Sequence, residues 1–287
     1  MTTTPPEDNT YLLDAESPTE LARLVNQDQM MTRAMGGPLS EQSAETLSSL
    51  QHILDLGCGP GSWVLDVAFA YRDSEVCGGD ISKIMIDYAN ARARSQGLKN
   101  ASFGVMDITK PLDFADATFD LVNARALFGV LRREAWQPFI AECTRILRPG
   151  GVLRLTEPVD FGVTNSLAFA QMQALWFQLY TRGGYGFSPD GSGFGLAPVL
   201  PRMLRQTGYG AVQCAAHALE FSAHTPDWAN FYRNMDVACQ LGQEPAVKSG
   251  VATREEWERV YQQMLIEMNG EDFCGIWHFT TFWGIKS

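Results

Sequence analysis

The segment Ile53–Trp63 places three glycines between an apolar strand and the start of a helix. Glycines at these positions, Gly57, Gly59 and Gly61, let the backbone pass close to a ligand and aim the amides of the helix N-terminus at it. Their spacing is G-x-G-x-G, whereas a dinucleotide-binding loop needs G-x-G-x-x-G, whose third glycine would fall on Ser62. The segment therefore predicts a ligand-binding strand–turn–helix that differs from the usual dinucleotide motif.

Short apolar strands alternate with helices on both sides of this loop. Strands are predicted over 52–56, 75–80, 101–106, 119–123 and 151–157, and helices over 62–71, 82–96 and 134–147. Alternation at this spacing produces right-handed βαβ crossovers and a parallel sheet that is covered by helices on both faces. The sequence thus predicts the α/β fold class.

The 287 residues exceed the roughly 150 expected for one domain, and the pattern outside the α/β segment differs. Further helices are predicted over 18–35, 40–50, 165–181, 198–208, 226–241 and 253–268, and further strands over 212–221 and 275–285. Four parts follow: a helical N-terminal cap at 1–50, a cofactor-binding core at 51–160, a lid and acceptor insertion at 161–197, and a completion of the core at 198–287 that contains a helical insertion at 225–270. The glycine-rich loop at 183–195 predicts a mobile cover.

Three aspartates are expected at the sheet edge that carries the glycine loop. Asp55 precedes the first glycine by two residues, where a carboxylate would repel a pyrophosphate but suits a cationic ligand. Asp80 ends the second strand, where a carboxylate can accept both hydroxyls of a ribose. Asp107 follows the third strand and could accept the amino group of an adenine, with Met106 and Ile108 against the ring faces. The alternative for Asp107 is a turn or a helix cap.

Residues from about 51 to 158 resemble the core of the class I S-adenosylmethionine-dependent methyltransferases. The motifs that carry this resemblance are Asp55-Leu-Gly-Cys-Gly-Pro-Gly61, the strand-end Asp80, Met106-Asp107, Phe119-Asp-Leu-Val-Asn123 and Leu147-Arg-Pro-Gly-Gly-Val152. The resemblance implies a Rossmann-like seven-stranded sheet in the order 3-2-1-4-5-7-6, with strand 7 antiparallel and with 212–221 and 275–285 as strands 6 and 7. It also implies S-adenosylmethionine as methyl donor and S-adenosylhomocysteine as product.

The cofactor site expected from this resemblance draws on the glycine loop and on the ends of the neighbouring strands. Its residues are Asp55, Gly57, Cys58, Gly59, Gly61, Asp80, Ile81, Met106, Asp107, Ile108 and Asn123. Asn123 leaves the fourth strand and is expected at the methionine end. From the N-terminal helices, Arg33 is expected to reach the cofactor carboxylate, because a lone carboxylate favours a cation, and Tyr11 is the alternative.

Methyl transfer from a sulfonium is an in-line displacement that depends on alignment and on the exclusion of water more than on a strong catalyst. A general base helps an oxygen acceptor, and a carbon acceptor can need one too. Glu157 at the end of the fifth strand and His224 just past the sixth are the catalytic candidates, because ligands bind at this edge. The alternatives are that Glu157 fixes the following loop and that His224 is structural. No metal ligand set is predicted.

Aromatic residues concentrate in the later half of the chain, where five of the seven tryptophans follow residue 160. Packing of the inserted helices accounts for most of them, but these insertions also lie where an acceptor pocket belongs. We therefore expect a small, largely apolar or aromatic methyl acceptor, as in secondary metabolism. Oxygen is the expected acceptor atom, with carbon as the close alternative.

The net charge of −11 and the pI near 4.8 disfavour nucleic acid as a partner, because an acidic surface repels phosphate. The six cysteines are scattered, so neither a zinc site nor a disulfide framework is predicted. No apolar run reaches the ~18 residues that span a bilayer, and the segment from Met1 lacks the features of a signal peptide. We expect a cytoplasmic protein without a membrane span; homo-oligomer formation stays open.

Two other functions stay open on the sequence alone. An NAD-dependent oxidoreductase would use a similar fold, but Asp55 and the G-x-G-x-G spacing oppose it. A non-catalytic S-adenosylmethionine-binding protein is the second alternative. A degenerate glycine loop would be typical of such a protein, whereas this loop is intact.

Overall fold

The strands of this chain assemble into one mixed β-sheet in a computed structural model that describes residues 10–287. Its strands are β1 (His52–Leu56), β2 (Glu75–Asp80), β3 (Ala101–Val105), β4 (Phe119–Arg125), β5 (Leu147–Pro158), β6 (Val163–Thr164), β7 (Tyr209–Glu220) and β8 (Gly275–Lys286). Its helices are α1 (Pro18–Ala34), α2 (Ala44–Ser49), α3 (Ser62–Ala70), α4 (Lys83–Ser95), α5 (Trp136–Ile146), α6 (Leu167–Arg182), α7 (Leu200–Gln206), α8 (Trp228–Lys248) and α9 (Arg254–Met268).

The sheet runs in the order β3-β2-β1-β4-β5-β8, and β8 also pairs with β7 and, near its start, with the short β6. Strands β1 to β5 are parallel to one another, and β8 is antiparallel to β5 and β7. This arrangement confirms the predicted α/β class and the order 3-2-1-4-5-7-6. In that order β7 is strand 6, at the edge, and β8 is strand 7, between strands 5 and 6. The two-residue β6 is an addition that the sequence did not indicate.

Side chains of the two central strands alternate between the faces of the sheet. Leu54 and Val122 pack in the core on one face, and Ile53 and Leu121 pack in the core on the other. Burial on both faces explains why these strands are apolar nearly throughout. Each buried aliphatic side chain contributes roughly 1.5–3 kcal/mol of transfer free energy. The two strands therefore form a firm base for the loop that follows β1.

Hydroxyl side chains begin several of the helices. Ser17, Ser82, Ser166 and Thr253 each accept a hydrogen bond from the backbone N–H three residues further on. Such a bond satisfies one of the amides that have no partner inside the helix. In α1 the cap is followed directly by Pro18, a residue favoured at the first helical position. The starts of these helices are therefore set by local sequence.

Two helices differ by more than two residues from their predicted ranges. The helix predicted over 40–50 is shortened to α2, because Ser43 caps it and the preceding residues form turns. The helix predicted over 226–241 continues to Lys248 and includes Pro245. This proline lies in the last turn, so it removes one hydrogen bond near the helix end, and α8 is held by packing against α1, α6 and α9.

Helices from distant parts of the chain meet over the carboxyl ends of the strands. Helix α1 lies against α8, and α6 lies against both α8 and α9. Residues 1–9 of the predicted cap lie outside the described residues. Across the described range 10–287, no helix combines the length and the apolar character needed to cross a membrane. The helices and the strand ends together enclose a cavity.

Candidate cofactor and acceptor site

The cavity lies between the carboxyl ends of β1 to β5 and the helices α1, α6 and α8. Its sheet side consists of Asp55, 57–60, 80–81, 106–109, 125–130, Pro158, Asp160 and Phe161. Its helix side includes Arg23, Leu24, Gln27, Asp28 and Met31 of α1, Trp176 and Tyr180 of α6, and Phe231, Asn234, Met235 and Ala238 of α8. Ligands of parallel α/β sheets bind at this edge, where loops leave the strands.

The glycine loop turns through three residues in the left-handed region. Gly57, Gly59 and Gly61 have φ values of 69°, 51° and 77°, a conformation in which other residues are strained. The backbone N–H groups of Gly57 and Cys58 both donate to the carbonyl of Gly79, at 2.8 and 3.0 Å. These bonds tie the loop to the end of β2, so its shape is fixed before any ligand binds.

The three glycines do not share one role. A Cβ added to Gly61 would lie 2.6 Å from a ring atom of Phe103 and 2.7 Å from the Cβ of Ala89. Gly61 therefore allows close packing behind the loop, which corrects the expectation that it contacts the cofactor. Gly59 lines the cavity, and a Cβ there would have Leu24 at 3.8 Å as its nearest side-chain atom. Bare backbone thus faces the cavity at Gly59.

Asp80 lies on the cavity wall beside Ile81, as predicted. Its Oδ2 accepts the N–H of Gly59 at 2.8 Å, and its Oδ1 accepts the N–H of Ser82 at 2.9 Å. Each carboxylate oxygen has two acceptor positions, so both keep capacity for a ligand hydroxyl. Burial raises the pKa of Asp80, and the two backbone bonds oppose that rise.

The segment after β3 also lines the cavity, through Met106, Asp107 and Ile108. Asp107 Oδ1 accepts the backbone N–H and the hydroxyl of Thr109, at 3.0 and 2.6 Å, and Oδ2 lies 3.0 Å from Lys110 Nζ. Partial burial raises the pKa of Asp107, but the bonds from Thr109 and Lys110 outweigh it and leave the pKa below its ordinary value. Asp107 therefore has the alternative turn role in addition to its place on the wall.

A polar ladder of Asp55, Asn123, Arg154 and Glu41 crosses the middle of the sheet. Asp55, Asn123 and Arg154 are register neighbours on β1, β4 and β5. Asn123 Nδ2 donates to Asp55 Oδ1 at 2.7 Å, and Arg154 Nη1 donates to Asn123 Oδ1 at 2.6 Å. Arg154 Nε then donates to Glu41 at 2.6 Å. The ladder gives a fully buried arginine a partner on each side.

The ladder changes the expected roles of Asp55 and Asn123. Burial raises the pKa of Asp55 to about 7, while Asn123 and Arg154 oppose the rise. Asn123 uses both ends of its amide within the ladder and is not on the cavity wall, which corrects its predicted place at the methionine end. The wall beyond β4 is formed by 125–130 instead.

Arg33 does not reach the cavity. Its guanidinium pairs with Asp227, and its side chain is 55% exposed, which corrects the expectation that it meets the cofactor carboxylate. Arg23 of the same helix turns inward and makes two bonds to Glu20, at 2.7 and 2.6 Å. The sequence reasoning missed this pair, although the spacing of positions 20, 23 and 27 is the i, i+3, i+7 pattern of one helix face.

A second buried pair joins α1 to the end of β4. Asp28 contacts the guanidinium of Arg125, and both residues line the cavity. Burial lowers the pKa of Arg125 to about 9, and the charge of Arg154 adds to the decrease. The Oδ2 atom of Asp28 is buried and has no hydrogen-bond partner among residues 10–287. This oxygen is therefore an acceptor that is left without a donor inside the protein.

Aromatic side chains form another part of the wall. They are Tyr11, Phe128, Phe161, Trp176, Tyr180, Phe231 and Trp277. The ring of Phe161 is central, with its centroid 5.8 Å from that of Trp176 and 6.1 Å from that of Tyr180. The sequence predicted an acceptor pocket among the aromatics of the later half of the chain, and it did not indicate that Phe128, which follows β4, would join them.

The predicted catalytic Glu157 is fully buried and is not on the cavity wall. Its two oxygens accept the backbone N–H groups of Leu127 and Phe128, at 2.8 and 3.1 Å. Burial raises the pKa of Glu157 to about 8, although both N–H groups favour the ionised form. Glu157 thus fixes the turn after β4, which corrects its placement facing the acceptor.

His224 lies on the surface, where its Nε2 is 2.9 Å from Glu271 and its side chain is 72% exposed. This position corrects the expectation that it faces the acceptor. His217, which the sequence reasoning discounted, has Nε2 3.0 Å from the hydroxyl of Thr281 within the sheet. In the described part of the chain, no histidine lines the cavity.

The glycine-rich loop at 183–195 packs behind the aromatic wall. Tyr185 and Phe194 are buried, and the Phe194 ring centroid lies 4.3 Å from that of Phe128. The hydroxyl of Tyr185 donates to the backbone carbonyl of Thr10. These contacts connect the loop to the start of the described chain; its opening as a cover stays a prediction.

Comparison with known proteins supports the family resemblance that the sequence motifs indicate. Residues 53–151 match a family model described as a methyltransferase domain. The chain is 31% identical to O-methyltransferase rstn1 of Aspergillus nomiae over 182 residues, which cover 61% of this chain and 72% of that protein. It is also 31% identical to methyltransferase GfsG of Streptomyces halstedii over 144 residues, which cover 48% of this chain and 49% of that protein. The match therefore spans about half the length of GfsG.

Solved structures of low sequence identity share the fold. Phosphoethanolamine N-methyltransferase 2 of Haemonchus contortus, in complex with S-adenosyl-L-methionine, matches with a TM-score of 0.52 and 15% identity, covering 98% of this chain and 61% of that one. The YcgJ protein of Bacillus subtilis matches with a TM-score of 0.51 and 16% identity, covering 85% of this chain and 99% of that one. Together with the fungal relative and the glycine-loop motifs, these matches show that the chain belongs to the class I S-adenosylmethionine-dependent methyltransferase family.

Proposed function

We propose that this chain binds S-adenosylmethionine and transfers its methyl group to a small, largely apolar or aromatic molecule. One observation carries the proposal: the same cavity is lined by the glycine loop with Asp80 and by a group of aromatic side chains. A donor and an acceptor bound there would share one enclosed space. Such an arrangement suits a reaction that depends on alignment and on the exclusion of water.

The residues on the wall fit this cofactor. The bare backbone at Gly59 leaves room for a ligand beside the loop, and Asp80 keeps acceptor positions for two ribose hydroxyls. Asp28 adds a second carboxylate to the wall, next to its partner Arg125. The side chains of Ile81, Met106 and Ile108 supply apolar contact for an adenine. Acidic and apolar groups thus occur together, as a cationic nucleoside requires.

S-adenosylmethionine, when bound, supplies an electrophilic methyl group on a sulfonium that leaves as a neutral thioether. Asp80 then holds the donor, the aromatic rings enclose the acceptor, and the closed cavity keeps water away from both. The rings of Phe161 and Trp176 offer flat apolar surfaces to an acceptor. Their burial makes the chamber suited to an aromatic substrate.

Oxygen is the acceptor atom that we favour. Two similar fungal proteins are named O-methyltransferases: rstn1 of Aspergillus nomiae and resE of Aspergillus sclerotiorum. Among the carboxylates on the wall, Asp160 follows β5 and sits next to Phe161. Burial raises the pKa of Asp160, while the hydrogen bond from the N–H of Gly162 and the electrostatic attraction of His278 oppose the rise. We infer that Asp160, rather than Glu157, accepts the proton of a hydroxyl substrate, because Asp160 lines the cavity and Glu157 does not, and because a raised pKa makes a carboxylate a stronger base.

A metabolite acceptor in the cytoplasm fits the rest of the chain. All six cysteines are free, including Cys214 and Cys274 at the surface, and free thiols are typical of reducing compartments. The net charge of −11 opposes a phosphate-rich partner. The microbial relatives that carry methyltransferase names support a place in secondary metabolism.

Isothermal titration with S-adenosylhomocysteine tests the proposal. The wild type should bind it, and Asp80→Ala should lose at least tenfold in affinity, because the variant lacks the acceptor for the ribose hydroxyls. Asp73→Ala, at an exposed site, is the matched control and should bind like the wild type. Binding of NADH in place of S-adenosylhomocysteine would favour an oxidoreductase. Cofactor binding without methyl transfer to any of a panel of hydroxylated aromatics would favour the non-catalytic alternative.

A further inference from the structure

Two amide side chains on the cavity wall share one arginine. Arg23 Nη1 donates to Gln27 Oε1 at 2.7 Å and to Asn234 Oδ1 at 3.0 Å. Gln27 lies on α1 and Asn234 on α8, and both line the cavity. Arg23 thus joins the two helices at the point where they face the enclosed space.

The other donors of Arg23 are also in use. Nε and Nη2 bind the two oxygens of Glu20, at 2.7 and 2.6 Å, and Nη2 also lies 3.5 Å from the hydroxyl of Tyr11. A guanidinium has five N–H groups and no acceptor, so this set accounts for all of them. Arg23 therefore has no donor left for a ligand, and its charge is balanced by a carboxylate that is fully buried.

The saturated arginine determines which way each amide points. Because a guanidinium only donates, the atoms of Gln27 and Asn234 that face it must be their oxygens. Their NH₂ groups consequently point away from Arg23. Within residues 10–287 neither NH₂ group has a hydrogen-bond partner, although Asn234 is only 7% exposed. Neither nitrogen is among the fully buried side-chain atoms without a partner in this range, so a ligand in the cavity can accept a hydrogen bond from each.

The surroundings define the kind of ligand that these donors fit. The Arg23–Glu20 pair is neutral overall, so the amides offer hydrogen bonds without net charge. On α8, the residues that flank Asn234 on the wall are apolar: Phe231, Met235 and Ala238. A carboxylate would be poorly compensated there, whereas the neutral carbonyl oxygen of an aromatic ketone matches both features.

We infer that Asn234 and Gln27 form a subsite for a ketone oxygen of the methyl acceptor, and that Arg23 holds both amides in their donating orientation. This inference rests on the proposed function, because it assigns the acceptor to the same cavity. It narrows the acceptor class to aromatic molecules that carry a carbonyl-type oxygen. It also makes Arg23 a positioning residue that acts through the two amides.

The test compares two probes of nearly equal shape, acetophenone and α-methylstyrene, in which C=O is replaced by C=CH₂. Ligand-detected NMR titrations are done with protein saturated with S-adenosylhomocysteine. The wild type should bind acetophenone about three- to tenfold more tightly, the gain expected from one or two hydrogen bonds. Equal affinity for both probes, or undetectable binding of both, overturns the inference.

Two variants test whether the preference for acetophenone over α-methylstyrene depends on Asn234. Asn234→Leu should remove most of this preference while α-methylstyrene binds as before. Asn234→Asp keeps an oxygen toward Arg23 but replaces the NH₂ group with an acceptor, so it should lose the preference without opening a cavity. Asn230→Leu, one turn earlier on α8 and not on the wall, is the matched control. Retention of the full preference in Asn234→Asp would contradict the assignment.

Titration with S-adenosylhomocysteine on the same samples separates this inference from the proposed function. Failure of the wild type to bind the cofactor product counts against the proposed function itself. Loss of cofactor affinity in the Asn234 variants, with the ketone preference intact, would assign the donors to the cofactor and overturn the inference. Unchanged cofactor affinity with loss of the ketone preference is the expected result.

Discussion

Glu157 Oε1 accepts the backbone N–H of Leu127 at 2.8 Å, which fastens the end of β5 to the turn that follows β4. Both segments contribute to the cavity wall on either side of this bond, through Pro158 and Leu127. The carboxyl group therefore shapes the acceptor chamber from behind, without contact with its contents. Its burial has a measurable consequence for stability.

Replacement of Glu157 by Gln should change how stability depends on pH. Burial raises the folded-state pKa of Glu157 from 4.5 to about 8. Stability from this group is thus fully present below pH 4.5 and is lost as pH rises toward 8. Between pH 5 and 8, the stability of Glu157→Gln relative to wild type should rise by up to about 1.4 kcal/mol per pH unit. Urea unfolding at four pH values measures this, with exposed Glu75→Gln as the reference.

Parallel stability profiles for wild type and Glu157→Gln over that range would show that the two backbone N–H groups, and not burial, dominate the carboxyl group. That outcome has a physical basis, because the N–H groups of Leu127 and Phe128 both donate to the Glu157 carboxylate and stabilise its ionised form.

Removal of the charge of Arg154 should be among the most damaging changes in the sheet. Arg154→Met leaves the buried Glu41 without its cation and Asn123 without its donor. Loss of one partner of a buried pair costs about 3–5 kcal/mol. Chemical denaturation should show a loss of this size. Arg94→Met, at an exposed position of α4, should stay within about 0.5 kcal/mol of wild type, and a similarly small effect at Arg154 would contradict the ladder.

Replacement by alanine of the two glycines on either side of Pro60 should have different effects on stability and on binding. Gly61→Ala should lower the melting temperature strongly, since its Cβ would collide with Phe103 and Ala89. Gly59→Ala places its Cβ in ordinary contact with Leu24 and carries mainly the left-handed strain of about 1–2 kcal/mol, but it should weaken S-adenosylhomocysteine binding. Thermal unfolding and calorimetry separate the two effects. Equal losses of stability in both variants would refute the division of roles.

Asp160→Asn tests the proposed base. The amide keeps an oxygen for the N–H of Gly162, so the loop after β5 should hold its shape. With a hydroxyl acceptor, kcat should fall about 10²-fold or more near neutral pH, while KM changes little. The pH–rate profile should lose its acidic limb. An unchanged profile would mean that the substrate ionises without help from Asp160.

The sequence predicted the cofactor half of the site far better than the acceptor half. Asp80, Met106 and Ile108 were placed correctly because each follows a short strand directly, so local pattern and the rules of parallel sheets determine their position. The order of the strands was predictable for the same reason. Gly61 was assigned to the cofactor because spacing alone does not reveal what packs behind a loop.

Other errors came from contacts between distant segments. Arg23 and Arg33 lie on one helix, and their partners on α8 and before it, Asn234 and Asp227, decide which of them turns inward. The ladder depends on the register that brings Asp55 beside Asn123. Neither relationship is visible in local sequence, because each pairs residues that are far apart in the chain. The alternative role predicted for Glu157 concerned the loop that follows β5, whereas its hydrogen bonds hold the turn after β4.

The bond between Arg23 and Asn234 joins residues that are 211 positions apart. By contrast, the wall around the glycine loop, from Asp55 to Ile108, comes from one continuous stretch of chain. During synthesis the nucleotide half can acquire its shape early, whereas the acceptor chamber cannot close until α8 has been made and has met α1. Contacts of such long range are slow to form, because the loop between the two segments must close before the contact is made. The acceptor chamber therefore depends on the meeting of two helices from distant parts of the chain, whereas the glycine loop is held by the neighbouring strand β2.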